Sequence, residues 1–233
     1  MQKRCVMGWI LSGLLLAGCS GPFAPTDGAA VIPAPKYVAL TFDDGPKEGT
    51  TDLLLDGLRA RGASATFFVV GEQAVMHTDL LRRMKEDGHQ VGNHTWSHVR
   101  LEGTDTESLL QEVQHNEILL REILGEESFW LRPPYGVIAP ELERQIEVPM
   151  IKWSVDPRDW ESRDSRKIVE AVLVEVEPGS IILLHDIYPA SVDAALELID
   201  RLQQEGYWFV TVEELMSLNG IDPQPGIMYR EGA

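Results

Sequence analysis

From Lys36 onward the chain alternates short β-branched or aromatic runs with longer amphipathic ones, and this alternation restricts the fold more than any other feature. Strand patterns fall at 37–42, 65–70, 90–93, 128–132, 150–155, 181–185 and 208–212. Helical patterns lie between them, near 50–61, 73–87, 105–124, 139–146, 165–176 and 191–204. In the last of these, Val192, Ala195, Leu196, Ile199 and Leu202 form a single apolar stripe. Gly62, Gly88, Gly125 and Gly206 mark where helical runs stop. Repeated strand–helix units with short connections predict an α/β barrel, with an open parallel sheet as the alternative. At 233 residues and 44% hydrophobic content, the chain can bury one core of that kind.

The first 35 residues stand apart from this pattern. Lys3 and Arg4 precede an apolar stretch at 6–17, too short to cross a bilayer comfortably as a mature helix. It ends in Leu16-Ala17-Gly18-Cys19, which resembles the lipobox of bacterial lipoproteins and implies cleavage before Cys19 and lipidation of that residue. An ordinary secretory signal is the alternative. Residues 20–35, with Pro22, Pro25, Pro33 and Pro35, read as a semi-extended tether. The organisation expected is a signal peptide at 1–18, a lipidated cysteine and tether at 19–35, a folded domain at 36–218 and a loosely packed tail at 219–233. The protein would then be an exported, monomeric envelope lipoprotein held to the membrane by its lipid, in the outer membrane where the host has two. The formal charge of −17 argues against a nucleic-acid partner, which a basic stripe would announce. Because Cys5 and Cys19 are the only cysteines, any metal in the domain must sit on histidine and carboxylate.

In parallel α/β folds functional groups collect at the C-terminal ends of strands. Here those ends supply Asp43-Asp44, His94 and His98, Arg132, Asp156 and Asp159, and His185-Asp186. His94 and His98 are four apart, the spacing that puts two imidazoles on one face of a helical turn and suits a metal clamp. A carboxylate from another strand end would complete a His2Asp set with room for water, and the Asp43-Asp44 pair is the obvious supplier. One of the two could bind metal while the other acts as a base. Alone, Asp43-Asp44-Gly45-Pro46 would read as a turn.

Five segments in order resemble the motifs of the polysaccharide deacetylases, the NodB-homology group or carbohydrate esterase family 4. They are Thr41-Phe42-Asp43-Asp44-Gly45-Pro46, His94-Thr95-Trp96-Ser97-His98, Arg132-Pro133-Pro134-Tyr135-Gly136, Asp156-Pro157-Arg158-Asp159-Trp160 and Leu183-Leu184-His185-Asp186. The resemblance spans about residues 36–218 and implies a distorted (β/α)7 TIM-like barrel as a single domain. It implies that Asp44, His94 and His98 bind a divalent metal, zinc first, with cobalt, nickel or manganese as alternatives. It further implies Asp43 as general base, tuned by Arg132, and His185 as general acid, oriented by Asp159. The backbone N–H of Tyr135 would hold the oxyanion, and Trp160 and Leu183 would wall the acetyl pocket. The implied reaction is hydrolytic N-deacetylation of N-acetylhexosamine in a polysaccharide. Peptidoglycan ranks ahead of chitin-type oligosaccharide and poly-N-acetylglucosamine, O-deacetylation of a glycan such as acetylxylan is an alternative, and a non-catalytic glycan-binding lipoprotein is a second.

The remaining candidates have plainer readings. His77, His89 and His115 are expected to be surface or capping residues, and Trp130, Trp153 and Trp208 core. Trp96 is open between stacking on a sugar and burial behind the site. The acids Glu102, Asp105, Glu107, Glu112, Glu117 and Glu122 are expected on a solvated helix face.

Overall fold

A computed structural model describes residues 34–125 and 128–232; the signal peptide, Cys19 and most of the tether lie outside the described residues. The strands are β1 (Lys36–Asp43), β2 (Thr66–Val69), β3 (Gln90–Asn93), β4 (Met150–Ile151), β5 (Ile181–His185), β6 (Tyr207–Phe209) and β7 (Met228–Tyr229). The helices are α1 (Thr51–Arg61), α2 (Gly71–Met76), α3 (Thr78–Glu86), α4 (Thr106–Leu124), α5 (Pro140–Glu143), α6 (Asp159–Ser162), α7 (Ser165–Glu175), α8 (Pro189–Gln204) and α9 (Val212–Leu218).

The organising strand is β1. It pairs in parallel with β2, β5 and β6, and β2 pairs with β3. Single parallel bridges then carry the sheet round: Asn93 to Leu131, Leu131 to Met150, and Val155 to Ile182 of β5. The circuit returns to β1, so the sheet closes into an irregular barrel, with β6 set beside the start of β1. The alternation of β1 explains the layers. Val38, Leu40 and Phe42 join the outer core with Leu54, Leu58, Leu81, Met84, Ile168, Val172, Leu198 and Leu202 of the helices. Ala39 instead belongs to an inner cluster with Phe68, Trp130, Ile151 and Ile181, closed by Val212, Leu215 and Met216 of α9. Thr41 and Asp43 share the parity of Ala39. Small and polar residues therefore line that side of β1, where the Arg132 side chain lies fully buried.

Several elements differ from expectation. The fourth stave, expected over 128–132, is reduced to the single residue Leu131, bridged to Asn93 on one side and Met150 on the other, because Pro133 and Pro134 follow and supply no N–H to continue a ladder. The fifth stave is a ladder only at Met150–Ile151 before its bridge at Val155, just ahead of Pro157. The helix expected over 73–87 is broken at His77 (φ −133°) into α2 and α3, and that over 139–146 shrinks to α5. The last stave ends at Phe209, since Thr211 caps α9: its side chain accepts from Glu214 N–H while the Glu214 carboxylate accepts from Thr211 N–H. The tail is not loosely packed. Its β7 pairs with β4, Lys152 N–H donates to Tyr229 C=O at 2.7 Å, and Gly232 N–H donates to Gly179 C=O at 2.9 Å.

Candidate active site

Register decides what meets at the barrel mouth. Asp43, the last residue of β1, is paired with His185, the last of β5, while Val69 is paired with Asn93, immediately before His94. Six non-glycine residues take positive φ among the described residues: Asp44, Thr95, His98, Tyr135, Arg158 and Arg163. All lie in the loops around this mouth, so backbone strain is concentrated where side chains must be aimed. The two histidines are accordingly not on a helical turn. They sit in a loop that Asn93 braces, its Oδ1 accepting from Thr95 N–H and from Asn116 Nδ2 of α4, both at 2.9 Å.

Three acceptor atoms converge. His94 Nδ1 lies 2.7 Å from the Arg132 carbonyl and must donate to it, which leaves the Nε2 lone pair facing the mouth. That Nε2 is 3.6 Å from Asp44 Oδ1, and His98 Nε2 is 3.2 Å from the same oxygen. Asp44 Oδ1 is buried without a hydrogen-bond donor among the described residues. Burial, followed by the His94 ring, holds the His98 pKa below its usual value. Ligand atoms of Asp44, His94 and His98 all lie within 4.8 Å of one another. A buried orphan carboxylate oxygen facing two imidazole nitrogens fits a divalent cation, and oxygen–nitrogen donor sets suit zinc and its neighbours.

Behind them, Asp43 is 3% exposed. Its Oδ1 accepts from Arg132 Nη1 at 2.7 Å, and its Oδ2 is 3.6 Å from His94 Nε2. Arg132 is held in turn by Thr41 Oγ1 (2.8 Å) and by the carbonyls of Ile151 (3.2 Å) and Lys152 (2.8 Å), with the Phe68 ring 4.1 Å away. Opposite, His185 Nδ1 lies 2.8 Å from Asp159 Oδ1. Asp159 is fully buried and also accepts from Ser191 Oγ and from the N–H groups of Trp160 and His185. Burial opposes charge on His185, but the hydrogen bond and charge of Asp159, with Asp43 and Asp44, outweigh it and raise the pKa to about 9. Its Nε2 faces the mouth, 3.9 Å from Asp44 Oδ2.

These groups open into a cavity of about 400 Å3 lined by Asp43, Asp44, His94, His98, Tyr135, Trp153, Asp156, Trp160, Leu183, His185 and Tyr188. Every site residue expected from sequence within the folded domain is therefore here or, for Arg132 and Asp159, directly behind. Trp153 and Tyr188 are additions. Trp153 was expected in the core, but it is only partly buried and packs against Gly136, where an added Cβ would come within 2.9 Å of it. Gly45 is equally constrained, since a Cβ there would collide with the carboxylate of Asp186. Asp186 is itself buried, accepts from Thr51 Oγ1, and has its carboxyl pushed up to about 7 by burial.

Other expectations change. Trp208 is 65% exposed on the outward side of β6, whereas Trp130 is core. His89 is buried rather than superficial, its Nδ1 accepting from Ala65 N–H at 3.3 Å. Trp96 stacks on His115 of α4 at 3.7 Å and does not line the cavity.

The sequence profile of the family described as polysaccharide deacetylase matches residues 30–148. The chain is 41% identical over 185 residues to the peptidoglycan-N-acetylmuramic acid deacetylase PdaC of Bacillus subtilis, covering 79% of this chain and 40% of that one. It is 36% identical over 180 residues to the peptidoglycan-N-acetylglucosamine deacetylase PgdA of Listeria monocytogenes, covering 77% and 39%. The chain thus spans about two fifths of the length of these relatives. A family 4 acetyl xylan esterase from Clostridium thermocellum, solved with a cobalt ion, superposes with a TM-score of 0.79 at 32% identity, covering 84% of this chain and 98% of that one.

Proposed function

The chain belongs to the polysaccharide deacetylase family, and from that premise we propose that it hydrolyses the acetamide of N-acetylhexosamine residues in peptidoglycan, releasing acetate and leaving a free amine. The observation that carries the reading is the facing of two pairs, the buried Asp43–Arg132 and the partly buried Asp159–His185, across the Asp44–His94–His98 cluster. The peptidoglycan substrates named for PdaC and PgdA support the choice of polymer.

A divalent cation on Asp44, His94 and His98 would polarise the acetyl carbonyl and acidify a water. Asp43, its Oδ1 held by Arg132, keeps Oδ2 to accept the proton of the attacking water. The Tyr135 N–H, in a left-handed turn at φ 60°, donates to the developing oxyanion, a contact of a kind whose loss costs about 10²–10³ in rate. An amine is a poor leaving group until protonated. His185 is suited to that task because Asp159 fixes Nδ1–H and stabilises the imidazolium, which leaves Nε2–H to donate to the departing nitrogen as the C–N bond breaks. Leu183 and Trp160 pack on the acetyl methyl and disfavour longer acyl groups by about 1–3 kcal/mol per methylene.

The likeness to an acetyl xylan esterase supports a second reading, O-deacetylation, in which the alkoxide needs less help from His185. Acetate release from peptidoglycan, chitooligosaccharides, poly-N-acetylglucosamine and acetylxylan separates the two. Release from the amide substrates is expected. Release from acetylxylan alone would replace the first reading with the second, and release from none would refute both.

A further inference from the structure

Three aromatic rings line the cavity near its mouth, and each carries an arginine. Arg100 lies 4.8 Å from the Tyr135 ring, Arg158 5.4 Å from Trp160, and Arg163 4.3 Å from Tyr188. Two of these guanidinium groups are already engaged, Arg100 with Glu102 at 3.0 Å and Arg158 with Glu161 at 2.9 Å. Arg163 differs. Among the described residues it makes no ion pair within 4.0 Å, and its one side-chain hydrogen bond runs from Nε to the Trp160 carbonyl at 3.2 Å.

Its placement is built rather than incidental. Arg163 ends α6 in the left-handed region at φ 47°, its N–H donating to Asp159 C=O at 3.0 Å. A non-glycine residue pays for that conformation in backbone strain. The turn that buries Asp159 behind His185 therefore also sets the guanidinium on Tyr188, whose ring centre is 6.1 Å from that of His185. Stacking and the Nε bond hold the fork in one orientation, so little side-chain entropy remains to be lost when Nη1 and Nη2 take a partner. The wider protein carries −17 and repels anions. A cation without a carboxylate of its own among the described residues, set on the cavity-lining Tyr188 at the rim of the site, suits an anionic group on a bound glycan better than a neutral one.

We infer that Arg163 is a specificity-determining residue that pairs with a carboxylate carried by the glycan being deacetylated. The inference rests on the deacetylase reading and sharpens it: the preferred N-acetylhexosamine polymer is an acidic one. That carboxylate could belong to a lactyl ether on the sugar or to a peptide attached to it.

The test compares wild type, Arg163→Gln and Arg163→Lys on three substrates: a neutral N-acetylglucosamine oligomer, a muramic-acid-containing oligosaccharide stripped of peptide, and the same glycan with its peptides. The readout is the ratio of kcat/KM on each acidic substrate to that on the neutral one. Loss of a charge-assisted fork should lower this ratio in Arg163→Gln by about tenfold or more. The change should lie mainly in KM, shrink at high salt, and be partly restored by Arg163→Lys. A drop on the stripped glycan assigns the lactyl carboxylate, and a drop confined to the peptide-bearing glycan assigns the peptide. An unchanged ratio, including one in which all three substrates suffer equally, overturns the inference while leaving deacetylation intact. Calorimetric binding of the acidic glycan and its carboxyl-reduced form to wild type and Arg163→Gln reads the same contact without turnover. If wild type releases no acetate from any substrate, the deacetylase reading falls and takes the specificity role with it, and Arg163-dependent binding of the acidic form would leave only a glycan contact.

Discussion

Acid should destabilise the fold through His89, a residue far from the chemistry. Its ring is 7% exposed and lies edge-on to Phe67, Nδ1 accepts from Ala65 N–H, and among the described residues Nε2 has no hydrogen-bond partner. Burial holds its pKa down, from 6.5 to about 4, with Asp87 opposing and Arg83 and Arg59 adding to the fall. A depressed folded pKa means that the neutral ring is favoured by the fold. Its contribution is complete above pH 6.5 and is lost as pH falls toward 4. Integrating the linkage over that window gives a loss of about 2 kcal/mol by pH 5 and about 3 kcal/mol by pH 4. For a domain of ordinary stability, roughly 5–15 kcal/mol, that is a substantial share. His89→Asn keeps an acceptor for Ala65 N–H and does not titrate. Urea unfolding of chelator-treated wild type and variant at pH 7.5, 6, 5 and 4 isolates the term, because all other groups cancel in the difference. The variant should start less stable, and the gap should narrow by about 2–3 kcal/mol on acidification. Curves that stay parallel across this range would refute the argument.

The two adjacent aspartates should fail differently. Asp44→Asn should lose metal in elemental analysis, whereas Asp43→Asn should retain it and still lose about 10²–10⁴ in acetate release. His185→Ala should also retain metal but slow amides more than activated aryl esters, and equal slowing would remove its acid role. Arg132→Met leaves the Asp43 carboxylate buried and unpaired, so denaturant midpoints should report a loss of about 3–5 kcal/mol, partly recovered in the Asp43→Asn background. Cys19 is proposed to be acylated, and mass spectrometry of the exported protein should find lipid on it; an unmodified terminus at another position would reject the anchor.

The α/β alternation, the strand-end rule and the five motifs were enough to assemble the candidate site residues, because a parallel barrel puts every strand end on one face whatever its exact length. What the sequence concealed was local. The capping signal Thr211-Val212-Glu213-Glu214 was present, but the apolar run that leads into it reads more readily as continuing strand. The tail's prolines hid a two-residue strand that supplies hydrogen bonds to β4. Trp153 could not be separated from core aromatics by pattern, since a stave only two residues long offers no alternation to read, and Tyr188, at the N-cap of α8, lies outside the five motifs. The histidine spacing suggested a helical turn because i, i+4 pairs usually do, whereas here left-handed Thr95 and His98 achieve the same convergence through a loop.

The site and the fold are one structure at Arg132. Its side chain occupies the barrel interior, where Ala39 and Thr41 leave space, and it bonds both to the backbone of the 150–152 segment and to Asp43. A hydrophobic residue there could fill the volume but would leave Asp43 without a counter-charge. A shorter polar residue could not span from Asp43 to the carbonyls of Ile151 and Lys152. The residue that pairs with Asp43 also joins β1 to a part of the barrel wall that has only a two-residue ladder and single bridges to hold it. Catalytic geometry and closure of the barrel should therefore be lost together at this position, whereas at Asp43, whose replacement by Asn preserves an acceptor for Arg132, they should come apart. If Asp43→Asn proved as destabilising as Arg132→Met, the charge of the pair rather than the reach of the arginine would be what closes the wall.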